Sequence, residues 1–150
     1  MDIRQILAPT DFSDYSKEAI SYALELAQTF GAKLSLLHVV ELPPYPIEGL
    51  VPSTLRGDLL DDLERQASAE LAQVLPQAQN AQIEVTRSVV IGSPFRKIIE
   101  TAEAEHVDLI VMVTHGRTGL SHLMVGSVAE RVVRTAPCPV LTIRPPVAKA

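Results

Sequence analysis

Asp108-Leu-Ile-Val-Met-Val-Thr-His-Gly-Arg-Thr-Gly-Leu-Ser-His-Leu-Met-Val-Gly-Ser-Val-Ala-Glu130 is the stretch on which the reading of this chain turns. It opens as a continuous apolar run from Leu109 to Val113, breaks into a glycine-containing loop and restarts as a helical pattern at Ser127. A strand feeding a loop and then a helix N-terminus is a geometry suited to phosphate. Loop amides and the positive end of the helix dipole both face the anion.

Working outward, the remaining segments read as scaffold for that loop. Upstream, Ile3 to Ala8 reads as a strand ending at Pro9, followed by the cap-rich turn Thr10-Asp-Phe-Ser13. Ala19, Ile20, Ala23, Leu24, Leu26, Ala27 and Phe30 then share one helical face, and Gly31 stops that helix. Lys33 to Val40 is a second strand whose Leu34, Leu36, Leu37, Val39 and Val40 make both faces read as buried; His38 within it reads better as a satisfied core histidine than as a ligand. Residues 41–57 hold four of the eleven prolines and two glycines, which predicts a long connection acting as a lid or contact segment.

Helical periodicity resumes from about Asp58 to Gln79 through Leu59, Leu60, Leu63, Ala67, Leu71, Val74 and Leu75, with Pro76 expected to bend or end it. Ile83 to Ile91 is a third strand. Ser93 is the expected cap and Pro94 the expected first residue of a third helix, which buries Phe95, Ile98, Ile99 and Ala102. Asp108 to Val113 is the fourth strand and 127–135 the fourth helix, with Ser127-Val-Ala-Glu130 reading as a capping box. Cys138 to Ile143 is the last strand, and the tail 145–150 is expected to be loose.

The order β-α-β-α-β-α-β-α-β with apolar strands predicts a single α/β domain over 1–150: a doubly wound, five-stranded parallel sheet covered by helices on both faces. Ligands of such sheets bind beyond the carboxyl ends of the strands, where the winding reverses. For the order 3-2-1-4-5 that point lies between Pro9–Ser13 and Thr114–Val125.

Composition narrows the functional classes. Net charge is −5 with no basic stripe, which argues against nucleic-acid binding. One cysteine, Cys138, cannot close an internal disulfide and reads as a buried, inert thiol; a cytoplasmic setting is expected. No apolar run approaches about 18 residues, so no membrane association is expected. His115 and His122 have no carboxylate at metal spacing, so no metal site is expected. There is no Gly-x-Ser-x-Gly elbow, no Walker-type loop and no Gly-x-Gly-x-x-Gly.

The chain resembles the universal stress protein family over nearly its whole length. The resemblance is carried by Ile6-Leu-Ala-Pro-Thr-Asp-Phe-Ser13, Leu37-His-Val39, Asp108-Leu-Ile-Val-Met112, Thr114-His-Gly-Arg-Thr-Gly-Leu120, Gly126-Ser-Val-Ala-Glu-Arg-Val132 and Ala136-Pro-Cys-Pro-Val140. It implies the order 3-2-1-4-5 of an adenine nucleotide alpha hydrolase-like fold, and a homodimer formed by pairing the last strands.

One branch of that family binds ATP through a glycine, two residues, a second glycine, nine residues, and Gly-Ser or Gly-Thr. Gly116 and Gly126-Ser127 match, but Val113 stands at the first glycine position. The resemblance puts adenine near Asp11 and Val39, and ribose and phosphates near Met112, His115, Gly116, Gly126, Ser127 and Val128. Pro9 and Thr10 form the rim. Arg117 is placed to reach terminal phosphates, or is a solvated loop charge. Asp11 either caps the first helix or accepts from the base. Val113 brings a side chain where backbone would approach the ligand, and it resists positive φ.

The expectation is therefore an ATP-binding regulatory homodimer of the stress response, with or without magnesium, acting on a protein partner the sequence does not name. The alternatives are a nucleotide-free dimeric interaction protein and a slow ATP hydrolase. Phosphoryl transfer needs an in-line water, a metal and charge stabilisation, and only pieces of that machinery are visible.

Overall fold

The computed structural model describes residues 1–42, 53–75, 82–115 and 125–144. Its strands are β1 (Gln5–Pro9), β2 (Lys33–Val40), β3 (Val85–Ile91), β4 (Leu109–Val113) and β5 (Val140–Ile143). Its helices are α1 (Asp14–Phe30), α2 (Ser53–Ala72), α3 (Pro94–Ala104) and α4 (Ser127–Thr135). All pairings are parallel, and the strand order is β3-β2-β1-β4-β5. The doubly wound order expected from the sequence is the one observed.

Strand alternation divides the core in two. Ile6, Ala8, Leu34, Leu36 and Val111 face Ile20, Ala23, Leu71 and their neighbours on the α1–α2 side. Leu7, Leu37, Ile110 and Met112 face Ile98, Ala102, Ala129 and Val132 on the α3–α4 side. The central strands are apolar on both faces because both faces are covered.

Helix ends follow local chemistry. Ser13 caps α1, its hydroxyl accepting the Ser16 N–H, and Gly31 ends α1 in the left-handed region at φ 65°. The α2 expectation needs correction. This helix starts at Ser53, inside the expected 41–57 connection, and stops at Ala72 rather than near Gln79. The remainder of that connection, 43–52, and residues 76–79 of the expected helix lie outside the described residues, as does the 145–150 tail.

The stop comes before Pro76. Gln73 and Val74 tighten to i−3 carbonyls, Leu75 turns to φ 59°, and the Arg87 guanidinium donates to the carbonyls of Leu71, Val74 and Leu75. An arginine from β3 therefore satisfies carbonyls that the end of a helix leaves without intrahelical donors.

Strands begin slightly later than the periodicity predicts: β1 at Gln5, β3 at Val85 and β5 at Val140. Pro137 and Pro139 have no N–H to pair, and the β4–β5 ladder opens instead at the Pro139 carbonyl, which accepts from Ile110.

Candidate nucleotide site at the switch point

Two loops converge where the winding reverses. The first follows β1. Thr10, buried, donates its N–H to the Leu37 carbonyl at 2.8 Å. The Ser16 hydroxyl is spent on the Ser13 carbonyl, so the Thr10 hydroxyl donates to Ser16 Oγ (2.9 Å) while accepting the Phe12 N–H (3.0 Å). Phe12 sits at φ 65°, a conformation that bulky residues rarely hold, and its ring stacks on His38 with centroids 4.1 Å apart. His38 Nδ1 lies 2.8 Å from the Thr10 carbonyl, so that nitrogen carries the proton. His38 is thus a satisfied histidine, as expected. Asp11 Oδ1 accepts the Ser13 N–H at 3.0 Å. Ser13, not Asp11, caps α1, which overturns the capping alternative for Asp11.

The second loop follows β4. Met112, Val113, Thr114 and His115 are all buried. Thr114 ties three segments together. Its N–H donates to the Ile143 carbonyl (3.1 Å), its carbonyl accepts from Gly126 (2.6 Å), and its hydroxyl lies 2.8 Å from His115 Nδ1. The Gly126 bond joins the start of the loop to the start of α4 and closes it at the neck.

At α4 the capping-box reading is corrected by one residue. Gly126 is the N-cap, extended at φ −59° and ψ 152°. Ser127 is the first helical residue, and the cap, being glycine, brings no side-chain bond. The reason is register: the first i to i−4 bond runs from the Glu130 N–H to the Gly126 carbonyl. The amides of Ser127, Val128 and Ala129 precede that bond, as the first amides of any helix do, and they lie at the positive end of its dipole.

Among the sequence-picked residues, strand register brings Pro9, Val39 and Met112 to the carboxyl edge of the sheet. Pro9 pairs with Leu37, and Leu7 with Ile110, so Met112 lies level with Pro9, and Val39 is one step of two beyond Leu37. Met112 and Val39 both pack on the α3–α4 side. Val113 alternates away from Met112, onto the face it shares with Val111, and its φ is negative. Val113 itself keeps strand backbone, and the turn expected to differ after it, 116–124, lies outside the described residues. Gly116 and Arg117 lie outside the described residues. Thr114 was not picked as a site residue; its only signal in the sequence is a hydroxyl directly after the apolar run.

Two groups with shifted ionisation stand apart from this site. The Arg4 guanidinium is held charged first by its hydrogen bond to Asp2 and then by that carboxylate's charge. The Cys138 thiol is pushed up mainly by burial, with the Asp108 charge adding and a backbone hydrogen bond at Ile110 opposing. Cys138 is half-buried rather than fully buried. Among the described residues no group of three or more His, Cys, Asp or Glu side chains is placed to hold a metal ion, and no helix is long and apolar enough to cross a membrane.

The model of the universal stress protein family matches residues 2–144. The chain belongs to that family. Universal stress protein MJ0531 of Methanocaldococcus jannaschii is 37% identical over 147 residues, covering 95% of this chain and 83% of that protein. Universal stress protein UspA from Lactobacillus plantarum has a solved structure that superposes with a TM-score of 0.84 at 29% identity, covering 96% of this chain and 99% of that one. Two more distant universal stress proteins share the fold. One was solved in complex with cAMP (TM-score 0.71, 23% identity, covering 95% of this chain and 98% of that one). The other, from Archaeoglobus fulgidus, was solved in complex with dAMP (TM-score 0.63, 22% identity, covering 95% and 99%).

Proposed function

We propose that this universal stress protein is a regulatory homodimer that binds one ATP per subunit at the carboxyl ends of β1 and β4. The observation that carries this reading is the union of a ready anion-binding helix end with an apolar shelf. The first amides of α4 open beside Thr114, and Pro9, Val39 and Met112 stand at the same edge of the sheet. Such a helix end takes phosphates, and an apolar shelf with a few polar groups suits a nucleobase and ribose. The side chain of Val113 is turned to the other face, so the departure from the ATP-binding pattern does not intrude on the shelf. The adenine nucleotides held by two relatives of the same fold support the ligand class.

In this reading Asp11, already oriented by its bond from Ser13, accepts from the adenine amino group. Gly126 lets the phosphates approach the backbone, and Ser127, the first helical residue, adds a hydroxyl. Magnesium, where present, supplies charge neutralisation to the phosphates. ATP then acts as a switch only through its different affinity for two arrangements of the neighbouring loops.

The test uses the protein as purified. It is denatured, the supernatant is analysed for adenine nucleotide by chromatography, and the stripped protein is titrated with ATP-Mg by calorimetry. Co-purified ATP, or saturable binding at one per subunit, upholds the reading. Absence of both assigns the protein to the interaction-only alternative. Phosphate release with magnesium at a steady multiple-turnover rate would make it a hydrolase instead.

A further inference from the structure

We propose that Arg96 and Arg131, both held against the ring of Phe95, form a binding site for a phosphate oxyanion where α3 and α4 meet. The two guanidinium carbons lie 5.9 and 5.0 Å from the same ring centroid. Both arginines are exposed, whereas Phe95 is partly buried against the α3–α4 core. Stacking uses the flat face of a guanidinium and leaves its edge, with the N–H fork, turned outward. That edge is the part that binds phosphate in bidentate fashion.

The surrounding charges leave these two arginines unanswered. Lys97 takes Glu100 at 2.8 Å and Arg134 takes Glu130 at 2.6 Å, so the nearby acids of both helices are engaged. Among the described residues neither Arg96 nor Arg131 has a carboxylate partner. The chain carries a net charge of −5, yet here two guanidinium groups share one ring, Arg96 in the first turn of α3. An oxyanion would relieve that concentration of positive charge.

Position suggests the source. Both α3 and α4 run back from the carboxyl edge of the sheet, and Arg131 is one turn below Ser127. Helical side chains lean toward the helix N-terminus, which here is toward the proposed nucleotide site. The oxyanion is therefore either the outer phosphoryl end of a nucleotide bound there or a separate phosphorylated compound. The first source rests on the ATP reading and the second does not.

The experiment is a set of calorimetric titrations of the full chain at fixed ionic strength with inorganic pyrophosphate, AMP and ATP. It compares the unaltered protein, the Arg96→Gln/Arg131→Gln double variant, and Arg131→Lys, which keeps the charge but loses the fork. Unfolding midpoints serve as the control for folding. Pyrophosphate binding weakened roughly tenfold or more in the double variant, and only partly restored by lysine, is the expected result. ATP weakened with AMP unchanged identifies the nucleotide tail as the occupant. AMP and ATP unchanged while pyrophosphate binding is lost identifies a separate phosphorylated compound. Arginine-dependent pyrophosphate binding without any nucleotide binding upholds this site and removes the ATP reading. Pyrophosphate and ATP both indifferent to the loss of the two arginines would overturn the proposal.

Discussion

Val113 shows how much a single residue's meaning depends on which face it takes. In the sequence it replaces a motif glycine and looks like an obstacle. In the fold it ends β4 with ordinary strand backbone, buried, and on the face opposite Met112. Val113→Gly is therefore expected to leave ATP affinity within about threefold while lowering stability by roughly 2–4 kcal/mol, from lost burial and added chain freedom. Calorimetry and urea unfolding read the two effects separately, and a large gain in affinity would restore the obstacle. Cys138 makes a second point at this scale. Because burial keeps the thiol protonated to higher pH in the folded chain, the unfolded chain ionises first. Its contribution to stability is whole below about pH 8.5 and is lost as pH rises through the folded value. Alkylation by iodoacetamide should accordingly be slower in the native protein than in the urea-unfolded chain at the same alkaline pH.

Among the elements, α4 and α2 carry the sharper expectations. Gly126 has a φ of −59°, open to any residue, so its backbone angle does not demand glycine. The remaining reason is room for a close neighbour. Gly126→Ala should lower the unfolding midpoint slightly, because alanine is a poor N-cap, and weaken ATP binding by roughly tenfold or more; equal ATP titrations for the two proteins would reject close approach. At the end of α2, Arg87→Met removes the donor to three carbonyls and should cost about 1–3 kcal/mol in urea unfolding. These ends also mark where sequence reading stopped. The bounds of β2 came out as observed because its apolar run is flanked by Gly31 and by the proline-rich segment. For α2, prolines and Gly57 disguised a helix that begins at Ser53, and its C-terminus is set by an arginine from β3, far along the chain. Ser127 was misplaced by one position because adjacent Gly and Ser are both good caps, and only the backbone register decides between them.

At the scale of the whole molecule, the winding order was legible from alternating strand and helix patterns together with the family resemblance, and it located the carboxyl edge around Pro9 and Thr114. The role of Thr114 was not legible. It depends on Ile143 and Gly126 arriving at the same carbonyl and amide, which only the closed sheet brings about. The sheet ends at β5, a short edge strand with Leu141 39% exposed. Edge strands of this kind invite pairing, and a second copy of the chain is the expected occupant. Sedimentation velocity should give a dimer for the unaltered protein and a shift toward monomer for Leu141→Arg, with the circular dichroism spectrum retained. A dimer that ignores this charge would place the contact elsewhere.

The bond from Gly126 to the Thr114 carbonyl has one more consequence, for tolerance to change in chain length. It fixes the two ends of the intervening segment relative to each other, so the placement of α4 is set at the neck and not by the residues between. Closure entropy grows only logarithmically, about 0.6 kcal/mol for each doubling of a flexible loop. Residues inserted between positions 116 and 124 should thus leave the fold standing and the first turn of α4 in place. A change of length here would alter what the site faces without rebuilding the sheet beneath it.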